Sequence, residues 1–299
     1  MNIKDFLIKE SIGDFKIEES LSLHTSYKIG GLCSYFVYPS DIDKLMKLIK
    51  FLKDNNIMYR IIGNGSNVIF SSKKFEGVII NLSKINNIKI DDNIIKVDAG
   101  YPLIKLSNVC ANNSLAGLEF ISGIPGNVGG AIYMNAGAYK SEVSDFLLDV
   151  TYLDEDNNLV TKNSNELDFG YRTSIFKHKK YIILSATFKL EKGDKNDILE
   201  LINDRRNRRI ESQPLDYPSA GSVFRNPGDN IYAGKLIEDL GLKGFSIGGA
   251  KISEKHANFI INYNNATGED VKALIDFVKE KVKEKYNIEL KVEQELINF

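Results

Sequence analysis

Helical and strand-like patterns of hydrophobic positions alternate along the whole chain. Ile42, Leu45, Met46, Ile49 and Leu52 recur at helical spacing, Ser40 with Asp43 reads as a capping box ahead of them, and Asn55-Asn56 ends the run. Tyr59 to Ile62, Val68 to Phe70 and Gly77 to Leu82 are short β-branched or aromatic runs broken by Gly, Ser and Asn, which predicts strands. Ile88 to Ile90 and Ile94 to Val97, joined by Asp91-Asp92-Asn93, predict a hairpin. Pro102 can open a helix whose buried stripe is Leu103, Leu106, Val109 and Cys110, making Cys110 a core thiol. Residues 147–188 return to strand character. A helix near 196–210, a Gly-rich stretch at 219–250 and a strand Phe259 to Ile261 follow. The last helix opens at Thr267 with Asp270 three later and shows Val271, Leu274, Ile275, Val278 and Val282 on one face; Ile288 to Val292 closes as a strand. The pattern changes near 191–195, which divides the chain into two α+β parts, 1–192 and 193–299.

Composition narrows the function. The 299 residues carry 39 basic and 40 acidic side chains for a net charge of -1, a balance unlike that of a protein whose task is to hold nucleic acid. The run Arg205-Arg206-Asn207-Arg208-Arg209 is interspersed with Glu200, Asp204 and Glu211 at the end of a predicted helix and reads as a solvated face. The opening MNIKDFLIKE spaces its charges too closely for a signal peptide, and no apolar run reaches the roughly 18 residues that span a bilayer. Cys33 and Cys110 lie far apart, and His24, His178 and His256 show no ligand spacing, so neither a disulfide framework nor a metal site is expected. A cytoplasmic protein with no membrane segment and no obligate protein partner is the expectation.

Four segments carry chemistry. Gly63-Asn64-Gly65-Ser66-Asn67 leads into a strand, which excludes a helix-opening dinucleotide fingerprint; it suits either an anion-binding nest or a plain Gly/Asn hairpin turn. Ser122-Gly123-Ile-Pro125-Gly126-Asn127-Val-Gly129-Gly130 belongs to a stretch with six glycines between 117 and 137. That is more than one turn requires and suits a backbone pressed against a flat or phosphorylated ligand. The third is Tyr171-Arg172-Thr173-Ser174 and the fourth Ala220-Gly221-Ser222-Val-Phe224-Arg225-Asn226. In a chain with only seven arginines, lone arginines beside Tyr, Ser and Asn suit a planar fork for carboxylate or phosphate, a surface salt bridge being the alternative. Ser222 lacks the spacing of a nucleophile elbow but retains a hydroxyl able to donate a proton.

Taken together, these segments resemble the UDP-N-acetylenolpyruvoylglucosamine reductase family. The likeness runs from His24-Thr25-Ser26-Tyr27-Lys28-Ile29-Gly30-Gly31 nearly to the C-terminus and includes Ala233-Gly234-Lys235-Leu236-Ile237-Glu238 and Gly241-Leu242-Lys243-Gly244. It implies an FAD-binding domain of the vanillyl-alcohol-oxidase (PCMH) type over 1–192, with lobes at about 1–82 and 83–192, and a smaller substrate domain over 193–299. It further implies non-covalent FAD, NADPH as co-substrate and a UDP-sugar whose enolpyruvyl group is reduced during synthesis of peptidoglycan precursors. By the same resemblance Gly63, Asn64, Gly65, Ser66, Asn67, Ser122, Gly123, Pro125, Gly126, Gly129 and Gly130 contact FAD, and Arg172, Ser222 and Glu293 are catalytic. Tyr171, Arg225, Asn226, Lys235 and His256 are candidates for the substrate. Around Glu293 the family pattern Leu-x-Pro-Glu-Val is altered: Val292 replaces the proline, Gln294 the valine, and Glu295 stands where some members have a cation, which leaves Glu289 and Glu295 as alternative registers. The short segment between Tyr171 and Ser222 resembles the subclass without an inserted substrate-capping loop. Arg172 and Glu293 would polarise the substrate carboxylate, Glu293 with a raised pKa, and Ser222 would protonate the α-carbon. A flavin oxidase of the same fold, often holding FAD through His or Cys, and a nucleotide-sugar sensor without turnover are the competing readings.

Overall fold

The computed structural model describes residues 2–299. The chain forms two compact units, one of residues 1–17, 35–63 and 77–207, the other of 18–34, 64–76 and 208–299. The expected division at 192/193 differs from this, because 18–34 and 64–76 are stitched into the C-terminal unit. Gly31 N–H donates to the Ser71 carbonyl (3.0 Å), and Val68–Phe70 pairs in parallel with Glu295–Ile297.

In the first unit a five-stranded antiparallel sheet runs Leu159–Asn163, Leu147–Leu153, Ile182–Lys189, Ile94–Asp98, Ile88–Asp91. Its last two strands are the predicted hairpin, with Ile90 opposite Ile95. A four-stranded sheet has the order Gly13–Ser20, Leu32–Pro39, Phe75–Asn81, Tyr59–Ile62, the last two parallel. Helix Ile42–Asp54 buries Leu45, Leu48, Ile49 and Leu52, as its periodicity requires. Its cap is Asp41 instead of Ser40: Asp41 Oδ1 accepts from Lys44 N–H (2.8 Å), and the Ser40 hydroxyl supports the other carboxylate oxygen. Pro102 is the N-cap of Leu103–Asn112, on which Leu103, Leu106 and Cys110 are buried.

In the second unit helix Gly268–Tyr286 opens with the predicted box, Thr267 Oγ1 accepting from Asp270 N–H (3.0 Å) and Asp270 from Thr267 N–H (2.9 Å). It buries Val271, Leu274, Ile275, Val278 and Val282, at about 2 kcal/mol for each side chain removed from water. A three-stranded sheet, Ser246–Ile247, Ala250–Ile252 and Ile260–Asn262, packs on it. The strand expected at Ile288 to Val292 forms instead at Glu295–Ile297, because its partner is Val68–Phe70 and pairing across so many residues leaves no local pattern.

Candidate active site

In the first unit, Tyr171 and Arg172 form the tip of a two-residue turn closed by Gly170 and Thr173, whose N–H and C=O groups bond each other (3.1 Å both ways). Arg172 adopts φ 56°, a left-handed conformation costing a bulky residue about 1–3 kcal/mol. Its guanidinium is held on three sides. Nη2 donates to the Gly137 carbonyl (2.7 Å), Nη1 lies 3.8 Å from Glu142 Oε1, and the Tyr171 ring lies 5.0 Å away. Glu142 is itself fixed by Asn135 Nδ2 (2.9 Å), and burial outweighs Arg172 to push its carboxyl above the usual range. Asn135, fully buried and left-handed at φ 43°, also donates to Gly170 O (3.1 Å) and accepts from Ser144 N–H (3.1 Å), so one side chain ties the turn to the Glu142 segment. A Cβ on Gly137 would lie 2.9 Å from Glu142 Cγ and 3.2 Å from Arg172 Nη1, which is why glycine stands there.

The two glycine segments are built differently from the expectation. Tyr59–Ile62 and Val68–Phe70 pair with different strands, so Gly63–Asn67 is not a hairpin turn. Several glycines of the two segments answer to the protein's own packing. A Cβ on Gly63 would sit 2.9 Å from Asn127 Oδ1; on Gly65, at φ 62°, 2.1 Å from the His24 carbonyl; on Gly129, 3.0 Å from Ala99 Cβ. Ser122 spends its hydroxyl on Glu119 O (2.7 Å), Gly126 O accepts from Leu103 N–H (3.0 Å), and Gly129 N–H donates to Ala99 O (2.8 Å). The segment is also shorter as a loop than its glycines suggest, since helix Val128–Met134 begins within it. Gly130, exposed in that helix's first turn, is the exception: a Cβ there would meet nothing within 4 Å.

In the second unit, residues 222–225 run antiparallel to 291–294. Phe224 bridges to Val292, Glu293 N–H donates to Val223 O (2.8 Å), and Arg225 N–H donates to Lys291 O (2.9 Å). Ser222 and Glu293 therefore lie on neighbouring segments, and Glu293 O accepts from Asn67 Nδ2 (3.3 Å), which joins the Asn64–Asn67 turn to them. The alternative registers fit less well: Glu289 is exposed and bonded to Lys283 Nζ (2.6 Å), and Glu295 sits in the strand paired with Val68. Arg225 Nε is buried without a hydrogen-bond partner, a donor suited to an anion.

Asn226, Lys235 and His256 gather around helix Ala233–Asp239. Asn226 Oδ1 accepts from Ala233 N–H (3.2 Å), Lys235 pairs with Asp239 (2.7 Å), and Gly234 would place a Cβ 3.5 Å from the His256 ring. His256 Nδ1 accepts from Asn258 N–H (3.2 Å), which puts the ring proton on Nε2, and burial lowers its pKa. The sequence reading gave no role to Asn258 or Gln294. Asn258 Oδ1 accepts from Phe224 N–H (3.0 Å) and its Nδ2 donates to Phe224 O (2.8 Å), a side chain doing a strand's work two residues after Ser222. The only sequence signal was a polar residue inside the apolar run that ends in a strand. Cys33 and Cys110 are buried, and burial pushes their thiols up to about 11 and about 12, leaving neither poised to attach a cofactor.

Residues 33–162 match the model of an FAD binding domain. The fold is shared with the glucose dehydrogenase Phl p 4.0202 (TM-score 0.51, 16% identity, 62% of this chain and 43% of that one), a likeness of fold alone. The class is thus a protein with an FAD binding domain. Gly130 fits that group, because its bare backbone leaves room for a flat ligand to lie against it. Residues 213–297 match the UDP-N-acetylenolpyruvoylglucosamine reductase C-terminal domain. The reductase of that name from Caldanaerobacter subterraneus is 46% identical over 97% of this chain and 95% of its own length. The crystal structure of UDP-N-acetylenolpyruvylglucosamine reductase (MurB) from Thermus caldophilus superposes with a TM-score of 0.79 at 31% identity, covering 95% of this chain and 99% of that one. This chain belongs to the UDP-N-acetylenolpyruvoylglucosamine reductase family.

Proposed function

We propose that the chain reduces the enolpyruvyl group of UDP-N-acetylglucosamine enolpyruvate with NADPH, giving UDP-N-acetylmuramate for peptidoglycan precursors in the cytoplasm. No helix among the described residues is long and apolar enough to cross a membrane, in keeping with that setting. Bound FAD supplies the centre that takes hydride from NADPH and passes it to the substrate. What the chain's own residues do follows from the charge that builds up. Hydride arriving at the β-carbon leaves an electron pair delocalised onto the adjacent carboxylate. Arg172, with its guanidinium already oriented by Gly137, Glu142 and Tyr171, binds that carboxylate and neutralises the charge without reorganising. Glu293 polarises the same carboxylate. Ser222 gives its hydroxyl proton to the α-carbon, which completes addition of one hydride and one proton across the double bond. Arg225, with its buried free Nε–H, binds the substrate's diphosphate or carboxylate, with Asn226, Lys235 and His256 beside it.

The observation that carries this reading is the pre-set Arg172 fork on a strained two-residue turn. Ser222→Ala is expected to slow oxidation of the reduced enzyme by the UDP-sugar by about 10²–10⁴-fold while NADPH bleaches the flavin at the normal rate. A loss of less than about threefold would remove Ser222 from the reaction.

A further inference from the structure

Gln294 is 4% exposed and sends both hydrogens of its amide nitrogen to consecutive carbonyls, Ala220 O (3.0 Å) and Gly221 O (3.1 Å). The Gly221 carbonyl and the Ser222 N–H belong to one planar peptide unit, so holding that oxygen fixes the plane from which the Ser222 side chain departs. The hold matters at this point because Gly221 lies at φ 77°, in the left-handed region, and the space a Cβ would take there holds no atom within 4 Å. The amide cannot sit the other way round, since Oε1 would then face two carbonyl oxygens. Gln294 Oε1 is buried, as is the hydroxyl of Tyr27, a residue fully shielded from solvent. Neither atom closes a hydrogen bond of normal geometry. Burial drives the Tyr27 pKa far above its ordinary value, with the Gln294 amide partly opposing it, so the hydroxyl stays neutral beside the amide. The amide grips the turn in front of Ser222.

We propose that Gln294 is a positioning residue for Ser222, its amide fixing the Gly221–Ser222 peptide so that the serine hydroxyl is aimed for proton transfer. The inference rests on Ser222 being the proton donor, and the test separates the two claims by a double-mutant cycle of Q294M and S222A. Methionine keeps the length and fills the site without a donor. Each variant is loaded with FAD, reduced by NADPH without oxygen and reoxidised with the UDP-sugar. Substrate binding to the oxidised form is measured by calorimetry. Misplacing the donor is expected to slow reoxidation by about 10-fold or more in Q294M. NADPH bleaching and substrate affinity should hold within about twofold, and Q294M should add nothing once Ser222 is alanine. Wild-type reoxidation in Q294M overturns the proposal, as does an equal further loss in the double variant, which marks a general structural role. A normal S222A alone overturns the donor reading itself. If Q294M does not fold, Gln294→Asn, too short to reach both carbonyls, takes its place in the same cycle with the same outcomes.

Discussion

Asn258→Ala is the sharpest test of how the Ser222 segment is held. The residue is 5% exposed, and its amide satisfies both backbone groups of Phe224, itself 2% exposed. Alanine leaves a buried N–H and a buried C=O without partners. At about 1–3 kcal/mol for each such group the loss is about 2–6 kcal/mol, with about 4 kcal/mol the central figure. At about 3 °C per kcal/mol for a unit of this size, the transition of the C-terminal unit should fall by about 12 °C. Differential scanning calorimetry reads this directly. Asn258→Asp adds a check on sign. It keeps the acceptor for Phe224 N–H but sets a buried carboxylate oxygen against Phe224 O, so its pKa should be raised. Protonation restores the donor, and the variant's deficit should therefore shrink as pH falls from 8 to 5. A loss below about 1 kcal/mol in N258A, or a deficit in N258D that grows on acidification, would refute the reasoning.

The other expectations concern the Arg172 cradle and the buried histidine. Gly137→Ala places a methyl 2.6 Å from Ser141 O and 3.2 Å from Arg172 Nη1. It should weaken substrate binding and turnover by about 10-fold or more with NADPH bleaching intact; unchanged affinity in calorimetry would count against the cradle. His256 has a lowered pKa, so its neutral form favours the fold. Its contribution is present above the unfolded value of about 6.5 and is lost as pH falls below it. Urea titrations from pH 7.5 to 5.5 should thus show a smaller loss of stability in H256Q than in the wild type, and equal slopes would contradict the burial argument.

Local features of the chain were legible in its sequence, and partnerships between distant segments were not. The stripe from Leu45 to Leu52, the hairpin around Asp91–Asn93 and the Thr267–Asp270 box depend on neighbours within a few residues, and each formed within a residue or two of where it was read. The pairing of Val68–Phe70 with Glu295–Ile297 is a contact between opposite ends of the chain. It moved the last strand from its expected place and drew 64–76 into the C-terminal unit. The glycines show the same division. Their density marked two unusual segments, but whether a given hydrogen faces a ligand or a neighbouring carbonyl, as Gly65 faces His24 O, depends on the tertiary fold. The roles of Asn258 and Gln294 went unread for a related reason: a buried amide bonded to a distant backbone leaves no periodicity. Arg172 and Ser222, by contrast, stood out as chemistry without an obvious structural duty.

The central claim, hydride passed from NADPH to the enolpyruvyl group, meets its most direct test in one anaerobic cuvette. Purified protein is loaded with FAD and titrated with NADPH until the flavin absorbance bleaches, and UDP-N-acetylglucosamine enolpyruvate is then added. The account requires the oxidised spectrum to return in proportion to the UDP-sugar added, in the absence of oxygen. A flavin that bleaches with NADPH and stays bleached with that substrate would contradict it.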